Sequence, residues 1–218
     1  MNIVRKLKHD TEFKTDILLG FFIASLILSN LLGSKITSML GVRVSVGILF
    51  VPILFLVTDI ITEVHGKVRA KNFFYISISV LLFALMMMYF CIIMPAHEQW
   101  LNQEAYEIIF KGSFRMTIAS LIAFILSQYH DIWAFHFWKK KTKGKFLWLR
   151  NNASTIISQL IDTTIFMYIA FYHLTPKFTT SFIFSLIIPY WIFKIIFALL
   201  DTPLCYLGVK WLKSNQAK

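Results

Sequence analysis

The groups in this chain with most chemistry to offer are carboxylates in apolar surroundings. Two of them recur in one phrase: Ser127-Gln128-x-x-Asp131-x-x-x-Phe135 and Ser158-Gln159-x-x-Asp162-x-x-x-Phe166, 31 residues apart. On a helix, Ser, Asp and Phe at i, i+4 and i+8 fall along one face, with Gln beside Asp. An aspartate at the centre of a membrane helix costs about 2.5–3.5 kcal/mol on insertion scales, so it must face a basic group, water or a ligand. Two roles are open: hydrogen-bonded glue between helices, or reception of a polar solute. Neutral groups make glue at lower cost. The Ser pair therefore reads as glue, Gln128 and Gln159 divide evenly between the two roles, and Asp131 and Asp162 read as a functional site.

Other polar groups lie in comparable surroundings. Pro52 is followed by Thr58, Asp59, Thr62, Glu63, His65 and Gly66, with Asp59 and Glu63 at i, i+4. Glu63 has an interfacial alternative, pairing with Lys67 or Arg69. Pro189 precedes Lys194 and Asp201-Thr202-Pro203, and a structural Lys194–Asp201 ion pair stands at even odds with a functional role. Two proline-interrupted, charged helices are expected to open backbone onto a polar cavity. Trp148-Leu149-Arg150-Asn151-Asn152-Ala153-Ser154 reads as a helix opening, with amides, a hydroxyl and the positive dipole end suited to an anionic or carbonyl group. Trp148 and Arg150 also have the simpler readings of interfacial belt and positive-inside charge.

These residues must be positioned by membrane helices. Of 218 residues, 57% are hydrophobic, 22 are Phe and only 15% are charged, with a mean hydropathy of +0.67. A soluble domain with so few charges would expose too much apolar surface. Stretches of about 20 apolar residues can cross a bilayer, and six are read: 17–36, 44–64, 73–94, 116–137, 154–174 and 182–209. The expected fold is all-α, a single six-helix transmembrane domain over 1–218. It has a cytoplasmic N-terminal segment (1–16), an external loop (95–115) and a basic cytoplasmic loop (139–150).

The net charge of +11 is a topology signal rather than a nucleic-acid footprint. Arg5, Lys6, Lys8 and Lys14; Lys67, Arg69 and Lys71; Lys139, Lys140, Lys141, Lys143, Lys145 and Arg150; and Lys210, Lys213 and Lys218 fall on one side. Lys35, Arg43, Lys111, Arg115 and Lys177 fall on the other. The positive-inside bias puts both termini in the cytoplasm, with anionic lipid as the ordinary partner of the excess. Measured from those basic ends, Asp59, Asp131, Asp162 and Asp201 are expected in one layer, about 12–18 Å deep. The first span reads as a retained anchor. Cys91 and Cys205 imply no disulfide framework, and His65, His97 and His173 lack metal-ligand spacing. No metal, cofactor or nucleophile–base pair is read, so the chain is not expected to be an enzyme. Nor is there a G-x-x-x-x-G-K-[ST] loop, so an ATP-driven role would need another subunit.

Ser29-Asn30-Leu31-Leu32 with Lys35, Leu56 through Gly66, Ser127-Gln128 with Asp131, and Leu147 through Asp162 together resemble the bacterial queuosine precursor transporters, also called the vitamin uptake transporter family. The D-x-x-x-E-x-x-G and W-L-R-N-N-x-S blocks carry most of the resemblance, and His65 stands where the family pattern has Tyr. The resemblance implies a multi-pass inner-membrane importer of 7-cyano-7-deazaguanine, 7-aminomethyl-7-deazaguanine or queuine for salvage into tRNA. It implies a substrate site drawn from Asp131, Asp162, Gln128, Gln159, Asp59, Glu63, Asn30, Arg150, Asn151, Asn152, Ser154 and Trp148. In such a site a carboxylate would accept the ring N–H and amino group, Gln, Asn, Arg or Lys would donate to the carbonyl, and Trp133, Phe135, Trp148 or Phe166 would stack on the rings. The alternative is a substrate-binding subunit of a multi-component ATP-driven importer.

Overall fold

The computed structural model describes residues 3–39, 41–142, 147–200 and 202–214. Of these, 3–9, 67, 128, 131, 132, 135, 136, 139, 147–155, 198, 199 and 202 are described by backbone alone. Helix α1 (Ile3–Leu32) leads into a two-stranded antiparallel hairpin, β1 (Ile36–Met39) and β2 (Val42–Ser45), and then a single 3₁₀ helix, Val46–Phe50. Four long helices follow: α2 (Val51–Ile93), α3 (Gln103–Lys141), α4 (Leu147–Phe171) and α5 (Thr180–Leu200). A short α6 (Thr202–Lys213) ends the chain.

The predominance of helix follows from the apolar runs, which in lipid must satisfy every backbone group internally. The hairpin is the exception to the all-α expectation. Its β-branched Ile36, Thr37, Val42 and Val44 suit a ladder, and Gly41 turns it at φ 78°. Ile36 pairs with Ser45 and Met39 with Val42. Ser45 then accepts a hydrogen bond from the Gly47 N–H and donates one to the Gly33 carbonyl at 2.6 Å, fastening the 3₁₀ segment to the end of α1. Val44 and Ile48 carry this corner into the main core.

Several boundaries differ from the sequence reading. Pro52 lies inside the membrane-length segment Val46–Gly66, where the 3₁₀ helix gives way to the first turn of α2 and its missing N–H leaves no α-helical bond unmade. The break in α2 comes instead at Gly66, with φ 77° and ψ 175°. The second and third apolar stretches therefore meet at one glycine rather than across a polar loop. Residues 103–115 belong to α3 instead of an external loop. The sixth stretch, read as 182–209, is two helices, with Pro203 in the first turn of α6.

Two cores hold the bundle. The larger joins Met116 and Ala119 of α3, Met167, Ala170 and Phe171 of α4, and Ile183, Leu186, Ile187 and Tyr190 of α5. The second joins Val57, Ile60 and Ile61 before the α2 break with Phe73 after it, and closes against Leu212 of α6. Large apolar side chains also cover the outside, among them Phe21, Phe83, Tyr89, Ile108, Ile125 and Phe184. A soluble protein rarely shows so much apolar surface, and lipid is its fitting neighbour. Among the described residues five helical segments are long and apolar enough to cross a membrane: Asp10–Leu32, Val46–Gly66, Val68–Ile93, Gln103–Ser127 and Thr180–Phe197.

Candidate functional site

The repeated phrase lies where α3 packs along α4. Ser127 of the first copy reaches Asp162 of the second, its Oγ donating to Oδ1 across a long 3.5 Å contact. His130, next to Asp131, meets Ser158 at 3.0 Å through Nδ1. The partners step in opposite directions along the two helices, 127 with 162 and 130 with 158, as antiparallel helices require. The copies thus interlock, hydroxyl of one against polar group of the other, and the glue role read for the Ser pair is what their contacts show.

This register sets the two aspartates at different levels within the expected layer, about 12–18 Å deep. Asp131 lies opposite residues 157 and 158, whereas Asp162 lies opposite Ser127. At about 1.5 Å per residue the two aspartates are offset by roughly one helical turn. Asp131 is the nearer to the segment that joins α3 and α4.

Asp162 is the centre of the described site. Its Oδ2 accepts from Lys194 Nζ at 2.7 Å, and the side chains are only 22% and 10% exposed. The sequence offers Asp201 as one partner for Lys194; its described carboxylate partner is Asp162, supplied by the neighbouring helix. A lysine–carboxylate pair this enclosed must be well satisfied, because each charge alone would be heavily penalised. The Lys194 ammonium also sits 5.6 Å from the ring centroid of Tyr190, one turn earlier on α5 and buried. Tyr190 is absent from the sequence reading; its i, i+4 spacing to Lys194 was the available signal.

Gln159 stands one turn before Asp162 on α4, and its Oε1 is buried without a hydrogen-bond partner. Thr163 Oγ1, four residues on from Gln159, is buried and unpartnered as well. Trp191 closes the adjoining side of α4, its Nε1 donating to the Ile156 carbonyl at 3.2 Å. Buried polar atoms are nearly always paired, so two orphans beside one ion pair mark a place where hydrogen-bonding capacity is held in reserve.

The remaining predicted residues are more scattered. Asn30 is buried and donates to the Leu26 carbonyl of its own helix at 2.9 Å. Asp59 and Glu63 are exposed on α2, ahead of the Gly66 break. His65 holds Thr15 of α1 at 2.8 Å. The side chains of Gln128, Asp131, Trp148, Arg150, Asn151, Asn152 and Ser154, like Phe135 and the whole of Asp201, lie outside the described residues. The backbone nevertheless corrects one detail: α4 is already helical from Leu147, so Asn151 and Asn152 sit past its first turn rather than at its free N–H groups. Of the expected stacking partners, Trp133 is 58% exposed and stacks on Phe137, and Phe166 packs edge-on against Phe171 in the core. Among the described residues no group of three or more His, Cys, Asp or Glu side chains is arranged to hold a metal ion.

One arginine that the sequence marks only as a topology charge also ties two helices together. Arg115, on α3, donates from Nε to the Ile169 carbonyl at 2.6 Å and from Nη2 to the Tyr172 carbonyl at 2.5 Å. It satisfies carbonyls that the end of α4 leaves unpaired and sets a positive charge at the negative end of that helix. It fixes the register of the two helices that carry the repeat.

Comparison with known proteins places this arrangement. The family model described as "Putative vitamin uptake transporter" matches residues 45–208, which take in all of α2, α3, α4 and α5. The chain belongs to the vitamin uptake transporter family. The likeness read in the sequence is thereby borne out, and the protein is a multi-pass membrane transporter rather than an enzyme. A Bacillus subtilis (strain 168) protein named "Probable queuosine precursor transporter" is 29% identical over 189 residues, 86% of this chain and 81% of its own length. The Escherichia coli (strain K12) "Queuosine precursor transporter" is 27% identical over 144 residues, 66% of this chain and 62% of its own. A Haemophilus influenzae relative with the name "Probable queuosine precursor transporter" is 26% identical over 132 residues, 61% of this chain and 54% of its own. No solved structure matches the chain. Within this vitamin uptake transporter, the Asp162–Lys194 pair and the orphaned Gln159 oxygen lie inside the segment that the family shares.

Proposed function

We propose that this chain is a secondary transporter that brings queuosine precursors across a bacterial inner membrane for salvage into tRNA: 7-cyano-7-deazaguanine, 7-aminomethyl-7-deazaguanine or queuine. The observation that carries the reading is the enclosed Asp162–Lys194 pair beside the unpartnered Gln159 oxygen, at a junction of α3, α4 and α5. A small flat solute rich in N–H and C=O groups has the hydrogen-bonding character this junction lacks. The relatives' names supply the class of solute. The apolar stretch Ile156–Phe171 of α4 joins the five longer segments to give six spans, and the basic excess of the terminal and central segments places both termini in the cytoplasm. Asp131, on the helix facing α4, is the second carboxylate of the site; Asp59 and Glu63 belong to a further polar face of α2 suited to proton carriage.

Uptake of each of the three precursors is to be measured by mass spectrometry in a host unable to make them, with tRNA queuosine as the endpoint. Asp162→Asn and Asp131→Asn are each expected to lower uptake about tenfold or more at unchanged protein level. Normal uptake by both variants would sink the site, and failure of all three precursors to restore tRNA queuosine would sink the substrate. Transport by the lone chain in a host without any partner ATPase module is also expected.

A further inference from the structure

Around the turn of α4 that meets Lys194 of α5, polar groups lie close together along the chain. Lys194 Nζ has three N–H donors, one of them on Asp162 at 2.7 Å. Asp162 is acceptor-only when ionised, with lone pairs beyond those engaged by Lys194 and Ser127. Gln159 Oε1, one turn away, is a buried acceptor with no donor among the described residues. The series is donor, acceptor, acceptor. Leaving such an amide oxygen buried and unpaired is unfavourable enough that most proteins avoid it. Thr163 Oγ1 repeats the shortfall on the same stretch of α4.

The pyrimidinone edge of a guanine-type ring carries the complementary series: a carbonyl, a ring N–H and an exocyclic amino group. We infer that Lys194, Asp162 and Gln159 together read this edge, and that Gln159 is the specificity-determining residue for the amino group. This rests on the transport function proposed above. Lys194 donates to the carbonyl while keeping its bond to Asp162. The Asp162 carboxylate takes the ring N–H and one amino hydrogen, and Gln159 Oε1 takes the other. Lys194 thereby has a reason to pair with Asp162: the ion pair keeps a donor and an acceptor side by side without burying either charge alone.

A site built to hydrogen-bond a group rejects analogues that lack it, since its own polar atoms are then stranded. The test is uptake of labelled 7-cyano-7-deazaguanine into cells producing the full chain, in competition with unlabelled 7-deazaguanine or 7-deazahypoxanthine, which lacks only the amino group. With the native protein, 7-deazahypoxanthine is expected to compete at least about tenfold more weakly. In Gln159→Leu the preference should shrink to the part that Asp162 still supplies through its one amino hydrogen, while Gln159→Glu, which keeps an acceptor, should retain the full preference. Equal competition in the native protein, or an undiminished preference in Gln159→Leu, overturns the inference. If Gln159→Leu does not accumulate in the membrane, Gln159→Met takes its place. Uptake without edge preference would remove this inference and leave the transport function standing. Absence of uptake by the native protein would remove both.

Discussion

Asp162 and Lys194 depend on each other. Removing one partner of a buried ion pair strands the other and typically destabilises by about 3–5 kcal/mol, whereas replacing both with neutral groups is far less damaging. Lys194→Met alone is therefore expected to lower the unfolding temperature of the detergent-solubilised protein markedly. The double variant Asp162→Asn, Lys194→Met should recover most of that loss yet still fail to transport, separating the structural duty of the pair from its functional one. The described contacts of Arg115 are structural. Arg115→Ala should lose about 1–3 kcal/mol from its two bonds to the Ile169 and Tyr172 carbonyls, with Arg115→Lys recovering part. At this scale the sequence disclosed Asp162 and Gln159, because an acid and an amide in an apolar helix stand out against their neighbours. It divides Lys194 evenly between a structural pair with Asp201 and a functional role, and only the packing of α5 against α4 brings Asp162 to it.

The informative feature among the elements is how they end. Gly66 takes a backbone conformation at φ 77° and ψ 175° that is essentially reserved for glycine. Gly66→Ala should cost about 1–3 kcal/mol and lower membrane accumulation, although a methyl there would meet open space; an unchanged melting profile would show that the break can move. Gly208 makes the opposite case. Its conformation is ordinary, but a Cβ would fall 2.2 Å from Ile60 Cδ1, so α6 lies against α2 as closely as a missing side chain allows. Gly208→Val is expected to destabilise by about 1–3 kcal/mol, and Ile60→Ala in the same molecule should restore part of the loss, as thermal unfolding would register. The apolar stretches announced the long helices, because about 20 such residues have few other fates. The ends were less legible: Pro52 stands inside the segment Val46–Gly66 where the 3₁₀ helix gives way to α2, and a proline's effect depends on its distance from the helix start.

For the molecule as a whole, the charge distribution defines a topology that labelling can check. With Cys91 and Cys205 replaced by Ser, a cysteine at Glu98 should react with a membrane-impermeant maleimide in intact cells. One at Lys213 should react only after permeabilisation; the reverse pattern would invert the orientation. The two ends of the chain also meet. Lys14 of α1 pairs with Asp10 at 2.8 Å and donates to the Trp211 carbonyl and to Ser214 Oγ beyond α6. The first and last helices are thus latched on the side that carries the basic termini.

By itself the sequence determined the solvent this protein lives in, its helical character, its family, and the identity of the acids that had to be shielded. All of these follow from local composition and spacing, which a bilayer reads residue by residue. The tertiary structure alone decided which group shields Asp162, how far the two copies of the repeat are offset, and where the apolar runs break. Those are relations between helices distant in the chain, set by the register at which side chains interlock, and no periodicity within a single helix encodes that register.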